Sequence, residues 1–166
     1  MTKQIILYFI FTLSGSLYSQ EFDLNLMEKL TNISFFSVDD FMIEGYGYKK
    51  IKEEDDGLIR VYARYYNEDF DNLIIITIHK APEPIEKVVN GEKYFQMKPN
   101  FIEVTVAKNY NIREIKDNLL SIGFEYIGTH EIGLTAFKKD KFTYLFAKQP
   151  NEAGATQIML ITEVNN

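Results

Sequence analysis

Apolar residues recur along this chain with two different periods, and the switch between them marks out its elements. Leu24, Met27 and Leu30 stand three apart, which predicts a short helix over Asp23 to Thr31. A second short helix is predicted from Ser37, an N-cap residue type, with Asp40 three residues on in the manner of a capping box. Val38, Phe41 and Met42 form its apolar face, and Gly45 closes it. Strands follow at Tyr46 to Glu53, Leu58 to Tyr66 and Leu73 to His79, with a hairpin turn at Asp56-Gly57. The third of these is apolar on both faces and so belongs in the middle of a sheet.

Ala81-Pro82-Glu83-Pro84 is a stiff break, and Asn90-Gly91 marks a further hairpin with a return strand at Tyr94 to Met97. Phe101 to Ala107 alternates cleanly, with Ile102, Val104 and Val106 on one face. The helical period then returns in Ile112, Ile115, Leu119 and Ile122, capped by Asn111 with Glu114 three residues on and closed by Gly123. Strands are predicted again at Phe124 to Thr129, Leu134 to Lys139, Phe142 to Lys148 and Thr156 to Val164, with Asp140 at a tight turn.

The pattern therefore reads as α+β: an antiparallel meander of about eight strands with two or three helices on one face and the other face open. Two related helix-plus-meander halves are marked out at residues 35–80 and 111–164. Phe41-Met42-Ile43-Glu44-Gly45-Tyr46-Gly47-Tyr48 matches Leu119-Leu120-Ser121-Ile122-Gly123-Phe124-Glu125-Tyr126 at a constant offset of 78, pairing Gly45 with Gly123. The alternative is that helix, glycine, aromatic strand is simply a frequent arrangement in α+β proteins, and two copies are fewer than repeat architectures need.

The N-terminus changes the picture of where the chain goes. Lys3 is followed by a nine-residue, almost wholly apolar run from Ile5 to Leu13, a break at Ser14-Gly15-Ser16 and the small residue Ser19 after Leu17-Tyr18. That order is the secretory signal pattern, with a cut after Ser19. A membrane span needs roughly 20 apolar residues, so the run is too short for a permanent anchor. Residues 1–19 are thus expected to be a signal peptide and 20–166 one exported domain, periplasmic or extracellular, with no transmembrane anchor.

The chain has no cysteine, which removes disulfides, thiol catalysis and a lipidated N-terminus. Its formal charge of −6 becomes −7 without Lys3, and its cations do not cluster, Lys49-Lys50 and Lys138-Lys139 being isolated pairs. Nucleic-acid binders cluster their cations, so nucleic acid is not an expected partner.

Candidate chemistry is sparse. Ser34, Ser37 and Ser121 are the serines beyond the signal segment, and none sits in a nucleophile-elbow pattern. Asn67, Asp69 and Asp71 begin like a calcium loop. Asn72 then replaces the required glycine and Ile78 the bidentate Glu, so an acidic turn is the better reading. No metal or cofactor is expected. His79 has Glu103 as a candidate cross-strand partner. The strongest site candidate is the alternating set Arg60, Tyr62, Arg64 and Tyr66, with Ile59, Val61, Ala63 and Tyr65 taken as the core face of the same strand. Arg and Tyr are enriched in binding hot spots, although they also suit any solvated sheet face. Two functional readings stay open. The first is a non-enzymatic binding or envelope-associated module that meets an unknown protein or glycan through this open aromatic face. The alternative is an extracytoplasmic hydrolase using carboxylates or His130.

Overall fold

The computed structural model describes residues 23–54, 57–65, 69–81, 85–89, 92–96, 99–129 and 133–163. The expected signal segment, Tyr66, Asn67, Asn90-Gly91 and His130 lie outside the described residues. Helix α1 spans Leu24–Leu30, and the Asp23 carboxylate caps it by accepting from the Leu26 amide at 3.1 Å. A mixed helical stretch follows: a 3-10 turn at Phe35–Ser37, a single α turn at Val38–Asp40 (α2) and a wide π turn at Phe41–Gly45. Ser37 does not cap it, because the chain is already helical from Phe35 and the Ser37 side chain makes no capping bond. Helix α3 spans Ile112–Ser121. It begins as expected, with the Asn111 side chain accepting from the Glu114 amide, and ends at Gly123 with φ +93.

The strands are β1 (Lys49–Glu54), β2 (Ile59–Arg64), β3 (Ile74–Lys80), β4 (Ile85–Val89), β5 (Glu92–Gln96), β6 (Pro99–Val106), β7 (Glu125–Thr129), β8 (Leu134–Lys139), β9 (Phe142–Ala147) and β10 (Thr156–Thr162). Eight of them form one antiparallel sheet in the order β1-β2-β3-β6-β10-β9-β8-β7, and β4 and β5 pair as a separate hairpin. The α+β expectation holds, with three helices on one face of an eight-stranded sheet. Both β1 and β7 start later than the aromatic run preceding each suggested. Tyr48 and Phe124 are instead tied back to the helices, through amide bonds of 3.0 Å to the Met42 and Leu119 carbonyls.

A single core lies between the helices and the sheet. Leu26, Met27, Leu30, Phe35, Val38, Met42, Ile115 and Leu119 press from above on Ile76, Ile78, Ile102, Val104, Tyr144, Phe146, Ile158 and Leu160. The β3 triplet Ile74, Ile76 and Ile78 supplies the buried face of a strand that sits between β2 and β6, in the sheet interior as its two-sided apolarity implied.

The strand order is symmetric about the β6–β10 pair, running outward as β6-β3-β2-β1 on one side and β10-β9-β8-β7 on the other. Each half opens with a helical segment, a positive-φ glycine and a buried ring: Gly47 (φ +68) with Tyr48, and Gly123 (φ +93) with Phe124. A cation from the neighbouring strand lies over each ring, Arg64 4.6 Å from Tyr48 and Lys139 5.9 Å from Phe124. Each edge strand also carries a register shift, between Lys50 and Lys52 and between Tyr126 and Gly128. The structural counterpart of Gly123 is therefore Gly47, an offset of 123 − 47 = 76 rather than 78. Tyr126, which the offset of 78 pairs with Tyr48, is 56% exposed whereas Tyr48 is 2% exposed.

Candidate functional site

Of the sequence-predicted set, Arg60, Tyr62 and Arg64 sit on the other side of the sheet from the one expected, and Tyr66 lies outside the described residues. In an antiparallel ladder, directly opposed residues share a face. Arg60, Tyr62 and Arg64 stand opposite Ile78, Ile76 and Ile74, all three of which are buried under the helices. Tyr62 is fully buried, and its hydroxyl donates to the Asp39 carboxylate in α2. Arg60 donates to the Phe35 carbonyl at 2.8 Å, stacks over the Phe35 ring at 4.5 Å and lies 3.7 Å from Asp39. Arg64 donates to the Tyr46 carbonyl at 3.2 Å. These three residues thus lie on the helix-covered side, where the mixed helical stretch brings acceptors and rings over β2: Arg60 and Tyr62 meet Asp39 and the Phe35 carbonyl, while Arg64 borders a cleft.

Asp39 is the hub of this arrangement. Desolvation pushes its carboxyl up, but the Tyr62 and Lys50 hydrogen bonds and the Arg60 and Lys50 charges together outweigh that and hold it below the ordinary value of 3.8. A carboxyl whose folded pKa is depressed contributes stability above its unfolded value, and that contribution is lost as the pH falls through the folded one. The stability gap between wild type and Asp39→Asn, measured by urea unfolding, should accordingly shrink as the pH is taken from about 7 to about 2. An equal gap at both values would mean that the Asp39 charge is not what Tyr62 and the cations hold.

The face away from the helices carries the other half of the alternation. One row crosses the whole sheet as Lys52, Val61, Thr77, Glu103, Met159, Leu145, Ala136 and Gly128. A neighbouring row runs Glu54, Ile59, His79, Phe101, Ile161, Thr143, Lys138 and Glu125. No described helix packs on this side. Ile59, Val61, Ile75, Phe101, Leu145 and Met159 are half-buried there, and Ile161 is exposed. At its centre the expected His79–Glu103 pairing is present on the diagonal. Nε2 lies 3.3 Å from the carboxylate, close enough for an ion pair but not aligned as a hydrogen bond. Gln157 donates to the other Glu103 oxygen at 3.0 Å, and the His79 ring lies 4.9 Å from that of Phe101.

Elsewhere the candidate chemical groups serve local structure. The Asp69 carboxylate accepts from the Asp71 amide at 2.9 Å and the Asn72 side chain at 2.8 Å, while Asp71 pairs with Lys108 at 2.8 Å. The Ser121 hydroxyl donates to the Asn118 carbonyl within α3. Among the described residues no three acidic or histidine side chains gather closely enough to hold a metal ion, and no helix is long and apolar enough to cross a membrane. No family model, no curated protein and no solved structure matches this chain.

Proposed function

We propose that this protein is an exported, non-enzymatic binding module that holds a protein partner against the sheet face opposite its helices. The observation that carries the reading is the run of aliphatic side chains on that face, where an antiparallel sheet facing water is ordinarily polar. Apolar side chains gathered around a few polar groups, here Thr77, His79 and Glu103, are the composition of an interaction surface. Eight strands about 4.8 Å apart, at roughly 3.3 Å per residue, give a face on the order of 650 Å². That is close to the roughly 800 Å² each partner contributes to a standard interface.

The sheet edges support the face, not an added strand, as the contact. Strand β1 is charged along its length (Lys49-Lys50-Ile51-Lys52-Glu53-Glu54), and both edge strands carry register shifts, features that discourage edge pairing. A protein suits the face better than a glycan. The rings Tyr62, Tyr144 and Phe146 are buried under the helices, and Phe101 on the open face is half-buried against His79, with the exposed Tyr65 and Phe70 rings together beyond the end of β2. Lys50 and Lys138 are engaged by Asp39 and Glu163, which speaks against a phosphate-binding role. Export rests on the basic, apolar and small-residue order of the first nineteen residues.

Replacing Met159 and Leu145 by Asp tests the reading. Both sit on the open face, so the double variant should remain folded, and it should lose whatever protein the wild-type domain captures from its own envelope fraction. Retention of the same protein by a folded double variant would remove this face as the contact surface.

A further inference from the structure

We propose that the cleft between the start of α1 and the last turn of α3 binds a small carboxylate with an apolar tail, anchored by Arg64. The cleft has a volume of about 520 Å³ and is lined by Asp23, Leu24, Asn25, Arg64, Asn118, Ser121 and Ile122. That size falls within the roughly 300–1,000 Å³ typical of small-molecule sites. It lies on the helical side of the sheet, so it stands or falls independently of the open face.

The contrast between two arginines on one strand points to the ligand class. Arg60 and Arg64 both reach the covered side of β2. Arg60 is 3.7 Å from Asp39 and so is neutralised within the fold. Arg64 has no carboxylate within 4.0 Å among the described residues. One of its N–H groups goes to the Tyr46 carbonyl, and its guanidinium carbon lies 4.6 Å from the centre of the Tyr48 ring. A guanidinium held by a carbonyl and a ring keeps further N–H donors, and its planar fork matches the two oxygens of a carboxylate. Arg64 is half-buried and forms no ion pair with a described residue, so an incoming carboxylate gives it a charged partner.

The rest of the lining completes the match. Leu24 and Ile122 offer apolar surface for a short aliphatic tail, and the Asn25 and Asn118 amides and the Ser121 hydroxyl offer polar contacts. Asp23 adds a negative charge to the same cleft. Its influence and that of Arg64 meet at Tyr48, whose phenol burial pushes up to about 12, with Arg64 working against the rise and Asp23 adding to it. A ligand carrying an ammonium beside its carboxylate therefore gains a second contact.

Titration calorimetry of the domain from Gln20 onward with 4-methylpentanoate, L-leucine and 4-methylpentanamide separates these elements. Saturable binding of the two carboxylates is expected, with the amide at least tenfold weaker. Leucine binding more tightly than 4-methylpentanoate assigns the extra contact to Asp23, and equal affinities leave Arg64 as the sole anchor. Arg64→Gln should weaken the carboxylates at least tenfold. Because Arg64 also ties Tyr46 and Tyr48 together, Ser121→Trp, which fills the cleft from an exposed position on α3, should abolish binding with the melting temperature unchanged. Equal affinity for the amide, binding unaffected by Ser121→Trp, or no saturable binding of either carboxylate at millimolar concentration would overturn the assignment.

Discussion

Tyr62→Ala should destabilise the domain by about 3–5 kcal/mol, the range for deleting a fully buried aromatic side chain. The ring has no exposed surface and sits on β2 opposite Ile76, beneath the helical layer. Truncation leaves a cavity the size of a phenyl ring and also removes a donor from Asp39, which keeps Lys50 at 3.1 Å. Tyr62→Phe separates the two contributions: it preserves packing and removes only the hydrogen bond, so about 1–3 kcal/mol is expected. For a domain of this size each kilocalorie per mole moves the melting temperature by roughly 2–4 °C, so the alanine variant should melt at least about 6 °C lower. Urea unfolding should show a lower midpoint with an unchanged slope. A change under about 0.5 kcal/mol would mean that β2 pairs one residue out of register, since a single step exchanges every side chain between the two faces.

Leu119→Ala should cost about 2–5 kcal/mol, and Leu120→Ala less than about 0.5 kcal/mol. The two residues are adjacent on α3, but Leu119 has no exposed surface and Leu120 is 48% exposed. Leu119 and Ile115 lie on the helix face that meets the sheet, and the Leu119 carbonyl also accepts from the Phe124 amide as the chain turns at Gly123 into β7. Thermal unfolding of the pair checks the helix orientation directly. Similar losses in both would mean that α3 is rotated from the orientation described here.

The cap, the end and the centre of the α3 stripe were legible because they are local, whereas Ile122, expected in the stripe, is 45% exposed at the helix end. The Asn111 cap, the stripe through Ile115 and Leu119 and the left-handed Gly123 all fall within thirteen consecutive residues. The same holds for the tight turn at Asp140, which adopts φ +51 between β8 and β9. The interior position of β3 was legible for a related reason. A run such as Ile74-Ile75-Ile76 has no polar side to turn to water, so both faces must find neighbours or stay partly covered.

Strand β2 shows where this kind of reading stops. Alternation separates Arg60, Tyr62 and Arg64 from Ile59, Val61 and Ala63 correctly, yet it carries a period and no sign. The sign followed from the usual association of charge with water, and here it is reversed. Asp39 is 23 residues from Tyr62 in sequence, and the carbonyls of Phe35 and Tyr46 are similarly remote from the arginines they satisfy. The offset of 78 likewise does not superpose the two positive-φ glycines, which stand 76 apart. The π turn at Phe41–Gly45 spaces Gly47 one residue further from Met42 than Gly123 stands from Leu119, and a glycine's φ is not written in its identity.

By itself, then, the sequence determined the α+β class, the meander, the ends of α1 and α3 and the Ile115–Leu119 stripe, because these depend on propensities and bonds that span a turn or two of chain. Only the tertiary structure decided which face of the sheet the helices cover. It therefore decided which of two alternating sets is core, and that Arg64 lies in a cleft while an aliphatic face is left open. Those outcomes depend on which distant groups arrive above each strand, and a buried arginine or tyrosine is favourable only once its acceptor is there.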